Sequence, residues 1–123
     1  YEDIIYEKAD SVATVKLNRP KSFNSFRMKT LEEMREALSD AAHDRKVGVI
    51  VLSGEGGKAF CSGGDINEMR DLTPETGRNF VTQLFRVFQI IRRAPKPVIA
   101  AVHGMCVGAG LAAPCAWRFS SPA

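Results

Sequence analysis

At 123 residues, 45% of them hydrophobic and 25% charged, the chain is long enough for one small globular domain with a real core. A net charge of +3 is too weak to argue for nucleic acid, though it suits an anionic small molecule if the positive charges cluster. No stretch approaches the roughly 20 apolar residues that span a bilayer. The three cysteines, Cys61, Cys106 and Cys115, lack the even count and regular spacing of a disulfide framework, which makes a reducing interior the simpler compartment. His43 and His103 are the only histidines, and neither they nor Cys115 fall into a metal-ligand spacing.

In chain order, a short strand over Ile4 to Lys8 is followed by the turn residues Asp10 and Ser11. Val12 to Leu17 then alternates, with Ala13, Val15 and Leu17 on one side, so the pair reads as an antiparallel hairpin ended by Pro20. Leu31, Met34, Leu38 and Ala41 recur at helical spacing and predict a helix from Lys29 to about His43. Val47 to Leu52 is apolar and rich in β-branched residues, the pattern of a buried strand. Ser53 to Gly64 reads as a glycine-rich loop. Thr73 and Pro74 form a helix start, as N-cap and first helical residue, with Phe80, Leu84, Val87, Phe88 and Ile91 as the apolar stripe up to about Arg92. Val98 to Val102 is a second buried strand, and Gly104 to Gly110 a second glycine-rich turn, leading into a helix. The order predicts an α/β architecture with crossover helices and a ligand site at the loops leaving the strands.

Both loops follow a buried strand: Ala59-Phe60-Cys61-Ser62-Gly63-Gly64-Asp65 and Gly104-Met105-Cys106-Val107-Gly108-Ala109-Gly110. Glycine lets a backbone N–H approach a ligand without a side chain in the way. Two such donors meeting at one point would hold the negative charge that develops on a carbonyl oxygen, and a helix starting at the second loop would add its positive end. The alternative is that these glycines serve turns and close helix–strand packing. Nucleotide motifs do not fit. A P-loop ending in Gly57-Lys58 needs glycine where Leu52 stands and Ser or Thr where Ala59 stands, and Gly104, Gly108 and Gly110 do not make the dinucleotide pattern.

These segments resemble the crotonase, or enoyl-CoA hydratase/isomerase, superfamily over nearly the whole chain. The resemblance lies in Asn18-Arg19-Pro20 with Asn24-Ser25-Phe26, in Val49 to Gly54 with Lys58 to Ile66, and in Pro95 to Gly104 with Gly108 to Leu111, in the right order and spacing. It implies a crotonase-like spiral of β-β-α units, here an incomplete domain over residues 1–123. It also implies trimers or hexamers built from paired trimers, and acyl-CoA thioester substrates, with coenzyme A arriving as part of the substrate and no separate cofactor. By the same resemblance, Gly64 and Ala109 supply the two oxyanion-hole N–H groups. The loop of Phe60, Ser62, Gly63, Asp65 and Ile66 lines the path of the coenzyme A moiety, and Arg27 is a candidate for one of its phosphates. For Arg27 a solvated charge near a helix start is an equal reading, and for Asp65 a helix cap is the structural one. Lys58 and Lys96 read as surface charges. The expected compartment is the cytoplasm, or the mitochondrial matrix if a leader has been removed.

The sequence departs from the family in two places. Hydratases of the family carry a catalytic glutamate two residues after the second glycine run, where this chain has Ala112, and the second carboxylate would lie beyond Ala123. Pro114, Cys115 and Trp117 also break the expected helix pattern. Three functions therefore stand: a broad hydratase/isomerase-family enzyme, a dihydroxynaphthoyl-CoA synthase-like enzyme favoured by Phe26-Arg27, and an inactive crotonase-fold scaffold.

Overall fold

The computed structural model describes residues 1–106 and 120–122. Strands β1 (Ile4–Ala9) and β2 (Val12–Leu17) pair antiparallel, Ile4 facing Leu17 and Ala9 facing Val12. Asp10 and Ser11 join them at φ 52° and 68°. Two positive φ values in succession match the right-handed strand twist, which is why short polar residues stand there. Ala13, Val15 and Leu17 are buried, as their alternation predicts. Past β2 the chain makes one 3-10 turn, Pro20–Ser22, then passes through Phe23 and Asn24 in left-handed conformation.

Helix α1 (Met28–His43) buries Leu31, Ala37, Leu38 and Ala41. It packs on β1, β2 and β3 (Val49–Gly54) and against α3 (Pro74–Arg93). The start of α3 is a reciprocal cap: Thr76 N donates to Thr73 Oγ1 at 3.1 Å and Thr73 N to Thr76 Oγ1 at 2.8 Å. Phe80, Val87 and Ile91 face inward from α3, and the Phe80 ring stacks on Phe26 with centroids 5.8 Å apart. Each fully buried Leu, Ile or Phe in this layer contributes about 1.5–3 kcal/mol.

The main sheet has the order β1-β2-β3-β5-β7, with β5 at Val98–Val102 and β7 at Ser120–Pro122, and it is parallel from β2 onward. Two elements differ from the sequence reading. The loop over Ser53 to Gly64 contains a strand, β4 (Ala59–Cys61), and the second glycine-rich turn begins with β6 (Met105–Cys106). The two pair in parallel and form a second sheet. Strands of three and two residues are too short to show alternation, and their pairing spans more than forty residues of chain. Strand β3 also begins and ends two residues later than predicted. Helix α2 (Ile66–Arg70) follows β4.

The chain therefore repeats one step: a strand in the main sheet, a short strand in the second layer, then helix. β3, β4 and α2–α3 make one such step, and β5 and β6 open the next. β2, an isolated parallel bridge at Phe26 and α1 make the first. This is the expected spiral of β-β-α units.

Candidate active site at the first glycine-rich loop

The loop after β4 is held by the segment that follows β2. Ser62 N donates to Phe23 O at 3.1 Å, and Ser62 Oγ to Ser22 O at 3.4 Å. Phe26 N donates to Gly63 O at 2.9 Å, and Asp65 N to Phe26 O at 2.8 Å. Those last two bonds are the parallel bridge between Phe26 and Gly64, a pattern that turns the Gly64 N–H away from Phe26. Gly63 takes φ 102°, a conformation side chains rarely adopt, and its N–H faces Cys61 Sγ at 3.4 Å. So Ser62, Gly63 and Asp65 all spend their N–H groups inside the protein. Among the described residues, the Gly64 N–H meets no acceptor. Gly64 is half-buried, and a Cβ there would meet the Met69 side chain.

The described start of the second loop lies against the first. β6 runs beside β4, with Ala59 opposite Met105 and Cys61 opposite Cys106. Gly104 has φ 61° and sits so close to the Lys58 carbonyl that a Cβ would collide with it. His103 Nε2 lies 2.9 Å from Gly56 O, tying the loops again. Ala109, Gly108 and Gly110 lie outside the described residues, as do Ala112, Pro114, Cys115 and Trp117.

The other expected site residues divide by environment. Asp65 caps α2, accepting from Asn67 N at 2.9 Å and Glu68 N at 3.4 Å, the structural role read from sequence. It also pairs with Arg19 at 2.9 Å, and that hydrogen bond, against the opposing effect of burial, holds its carboxyl below the usual range. Phe60 differs from a ligand-lining side chain: its ring is 3% exposed and belongs to the core, so only its backbone remains to face a ligand. Ile66 is 78% exposed at the start of α2. Arg27 is neither bare nor simply solvated. Its Nε and Nη2 donate to the two oxygens of buried Asp3 at 2.8 Å each, while about a third of the side chain stays exposed.

Asn24 and Arg19, which the sequence reading quotes only as motif letters, and Glu68, which it does not single out, organise the loop. Asn24 and Arg19 bind across it, and Glu68 Oε1 accepts from Met28 N at 2.8 Å, fastening α2 to the start of α1. Lys96 is also more than a surface charge. Its ammonium donates to Ala41 O and Asp44 O at 2.8 Å each, at the end of α1. An apolar cavity of about 40 Å³ lies between Phe26, Phe60, Leu84, Val87 and the β2–β3 strands. Among the described residues no three His, Cys, Asp or Glu side chains gather as a metal site, and no helix is long and apolar enough to cross a membrane.

The fold has close counterparts among solved structures. An enoyl-CoA hydratase from Bacillus anthracis superposes with TM-score 0.91 at 31% identity, over 96% of this chain and 46% of that one. One from Mycobacterium smegmatis does so with TM-score 0.91 at 33% identity, over 98% and 47%. The fold is thus crotonase-like. The family model described as enoyl-CoA hydratase/isomerase matches residues 7–116, and the chain belongs to that family. A crotonyl-CoA hydratase from Syntrophomonas wolfei is 37% identical over 98% of this chain and 47% of its own length. A short-chain-enoyl-CoA hydratase from Clostridium acetobutylicum is 38% identical over 97% and 46%. The chain spans about half the length of the curated relatives it matches.

Proposed function

We propose that the chain is the thioester-binding half of an enzyme acting on acyl-CoA, in which the N–H groups of Gly64 and Ala109 hold the oxygen of the thioester carbonyl. One observation carries the reading: Gly64 is the residue of the 62–65 loop whose N–H is left over once the structural bonds are made. A donor held rigidly and not spent on the fold costs no reorganisation when charge develops on an oxygen beside it. Removing a proton next to the carbonyl, or adding a nucleophile at the conjugated position, moves charge onto that oxygen, and two N–H donors would stabilise the enolate. Ala109, assigned by its place in the motif, still offers an N–H despite its methyl group. Coenzyme A enters with the substrate, and no further cofactor is called for.

Ala112 has no titratable group, so the proton-transfer residue comes from elsewhere in the protein. This favours isomerase-type or later-residue chemistry over two-glutamate hydration. Assembly into trimers belongs to the same proposal. Val81 and Phe85 leave apolar surface exposed on α3, which such an assembly or the remainder of a domain would cover.

The test is turnover of crotonyl-CoA beside a titration with coenzyme A, for the wild type and Gly64→Pro. Gly64 is not at positive φ, and proline removes the N–H while the Met69 side chain gives way to its ring, so a melting curve is measured beside turnover to show that the variant is folded. Turnover should fall by about 10²–10³-fold while coenzyme A affinity holds. Unchanged turnover in the variant sinks the assignment, and binding without turnover of any acyl-CoA by the wild type would establish the scaffold reading instead.

A further inference from the structure

We infer that the ion pair between Arg19 and Asp65 is a positioning device for the Gly64 N–H, and that it acts through geometry rather than through its charges. The inference rests on the reading of Gly64 as a thioester donor. Arg19 stands just past β2, and its guanidinium reaches both chains that flank Gly64. Nη1 donates to Ser25 O at 2.7 Å and Ser25 Oγ at 3.2 Å, and Nη2 to Asp65 Oδ2 at 2.9 Å. Ser25 precedes Phe26, the bridge partner of Gly64, and Asp65 follows Gly64 directly. One planar fork therefore sets the spacing of the two chains where the spare N–H is presented.

The carboxylate is fixed from its other side as well. Asp65 Oδ1 takes the first N–H groups of α2, so the same group that meets Arg19 also anchors the helix leaving the loop. Both partners are withdrawn from water, at 16% and 15% side-chain exposure. Ion pairs so placed add little stability over apolar residues of the same volume. What they do supply is orientation, because a guanidinium fork accepts only a narrow range of partner positions. Orientation is what a main-chain donor needs, since it works only when held within about 0.5 Å of its productive place.

The experiment binds a 3-arylacryloyl-CoA to the full protein. Its conjugated thioester absorbs at longer wavelength when the carbonyl is polarised, so the band position reads the donor directly. Melting temperature and coenzyme A affinity are measured beside it. Asp65→Asn keeps a cap oxygen for α2 but loses the ion pair. Arg19→Gln loses it from the other side, and Arg19→Lys keeps the charge without the fork. The wild type is expected to shift the band. Asp65→Asn and Arg19→Gln should each lose about half of the shift or more, with Arg19→Lys between Arg19→Gln and wild type and coenzyme A affinity within about twofold.

A full shift in both Asp65→Asn and Arg19→Gln overturns the inference and leaves the role of Gly64 standing. A pair acting through charge alone would move those two variants in opposite directions, and that result also overturns it. No shift in the wild type overturns the thioester reading itself, and this inference with it. Should Arg19→Gln fail to fold, Asp65→Asn and Arg19→Lys carry the decision, since both keep most of the local bonding.

Discussion

Asn24 reaches Ala59 across 35 residues, its Nδ2 donating to the Ala59 carbonyl at 2.8 Å. The same nitrogen donates to Glu55 O at 3.0 Å, and Oδ1 accepts from Arg19 N at 2.9 Å. Two carbonyl partners require the amide nitrogen on that side, which settles the orientation of the group. Asn24 is 1% exposed and sits at φ 56°, a conformation that asparagine tolerates better than most residues. It joins the end of β2 to both ends of the loop between β3 and β4.

Asn24→Asp should therefore be among the most damaging single-atom changes in this half of the protein. It replaces a donor by a carboxylate oxygen facing two carbonyls in a buried place. A loss of about 3 kcal/mol is expected in urea unfolding, with Asn24→Ala about 2 kcal/mol. A change under about 0.5 kcal/mol, the range of an ordinary surface substitution, would show the amide to be dispensable.

Gly104→Ala should cost about 2 kcal/mol or more, because the added carbon meets backbone rather than a movable side chain, at a φ of 61°. Gly57→Ala serves as the control, since nothing lies within 4 Å of a Cβ there. Thermal melts of the two variants should separate by several degrees, and equal melting points would contradict the close approach of the two loops.

The first residues are tied to α1 by a buried cluster. Asp3 accepts from Arg27, and from Thr30 Oγ1 at 2.7 Å, while Glu33 takes the N–H groups of Asp3 at 2.8 Å and Glu2 at 3.1 Å. The Arg27 bond is the main cause that holds the Asp3 carboxyl below its usual range. A carboxylate more acidic in the folded than in the unfolded chain binds protons more weakly there. Its stabilising effect is complete above the unfolded value, about pH 4, and disappears as the pH falls through the folded one. Asp3→Asn should thus lower stability by about 2 kcal/mol at pH 7, a gap that narrows below about pH 4. A gap constant from pH 7 to pH 3 would argue that the charge on Asp3 is not what matters.

Lys96→Met should cost about 1 kcal/mol, since it removes two donors and a positive charge from the carbonyl end of α1. Lys58→Met, in the loop after β3, should stay within about 0.5 kcal/mol. Equal effects in chemical denaturation would return Lys96 to the status of a surface charge.

Much of this architecture was legible in the residues alone. The hairpin, α1, β3, α3 with its Thr73–Pro74 start, and β5 each carry a local pattern: alternation, a helical stripe, a cap or an apolar run. Local patterns follow from backbone geometry and burial on one face, so sequence suffices for them. The motif letters likewise placed the chain in its family. What tertiary structure decided is everything made by pairing over long separations. β4 and β6 are strands because they meet each other, not because three or two residues prefer to be extended. Arg19, Asn24 and Lys96 look like ordinary polar residues until the fold brings carbonyls and a carboxylate to them. The availability of the Gly64 N–H is of the same kind, for it depends on which neighbouring donors the segment around Phe26 consumes. No property of a glycine in isolation contains that information.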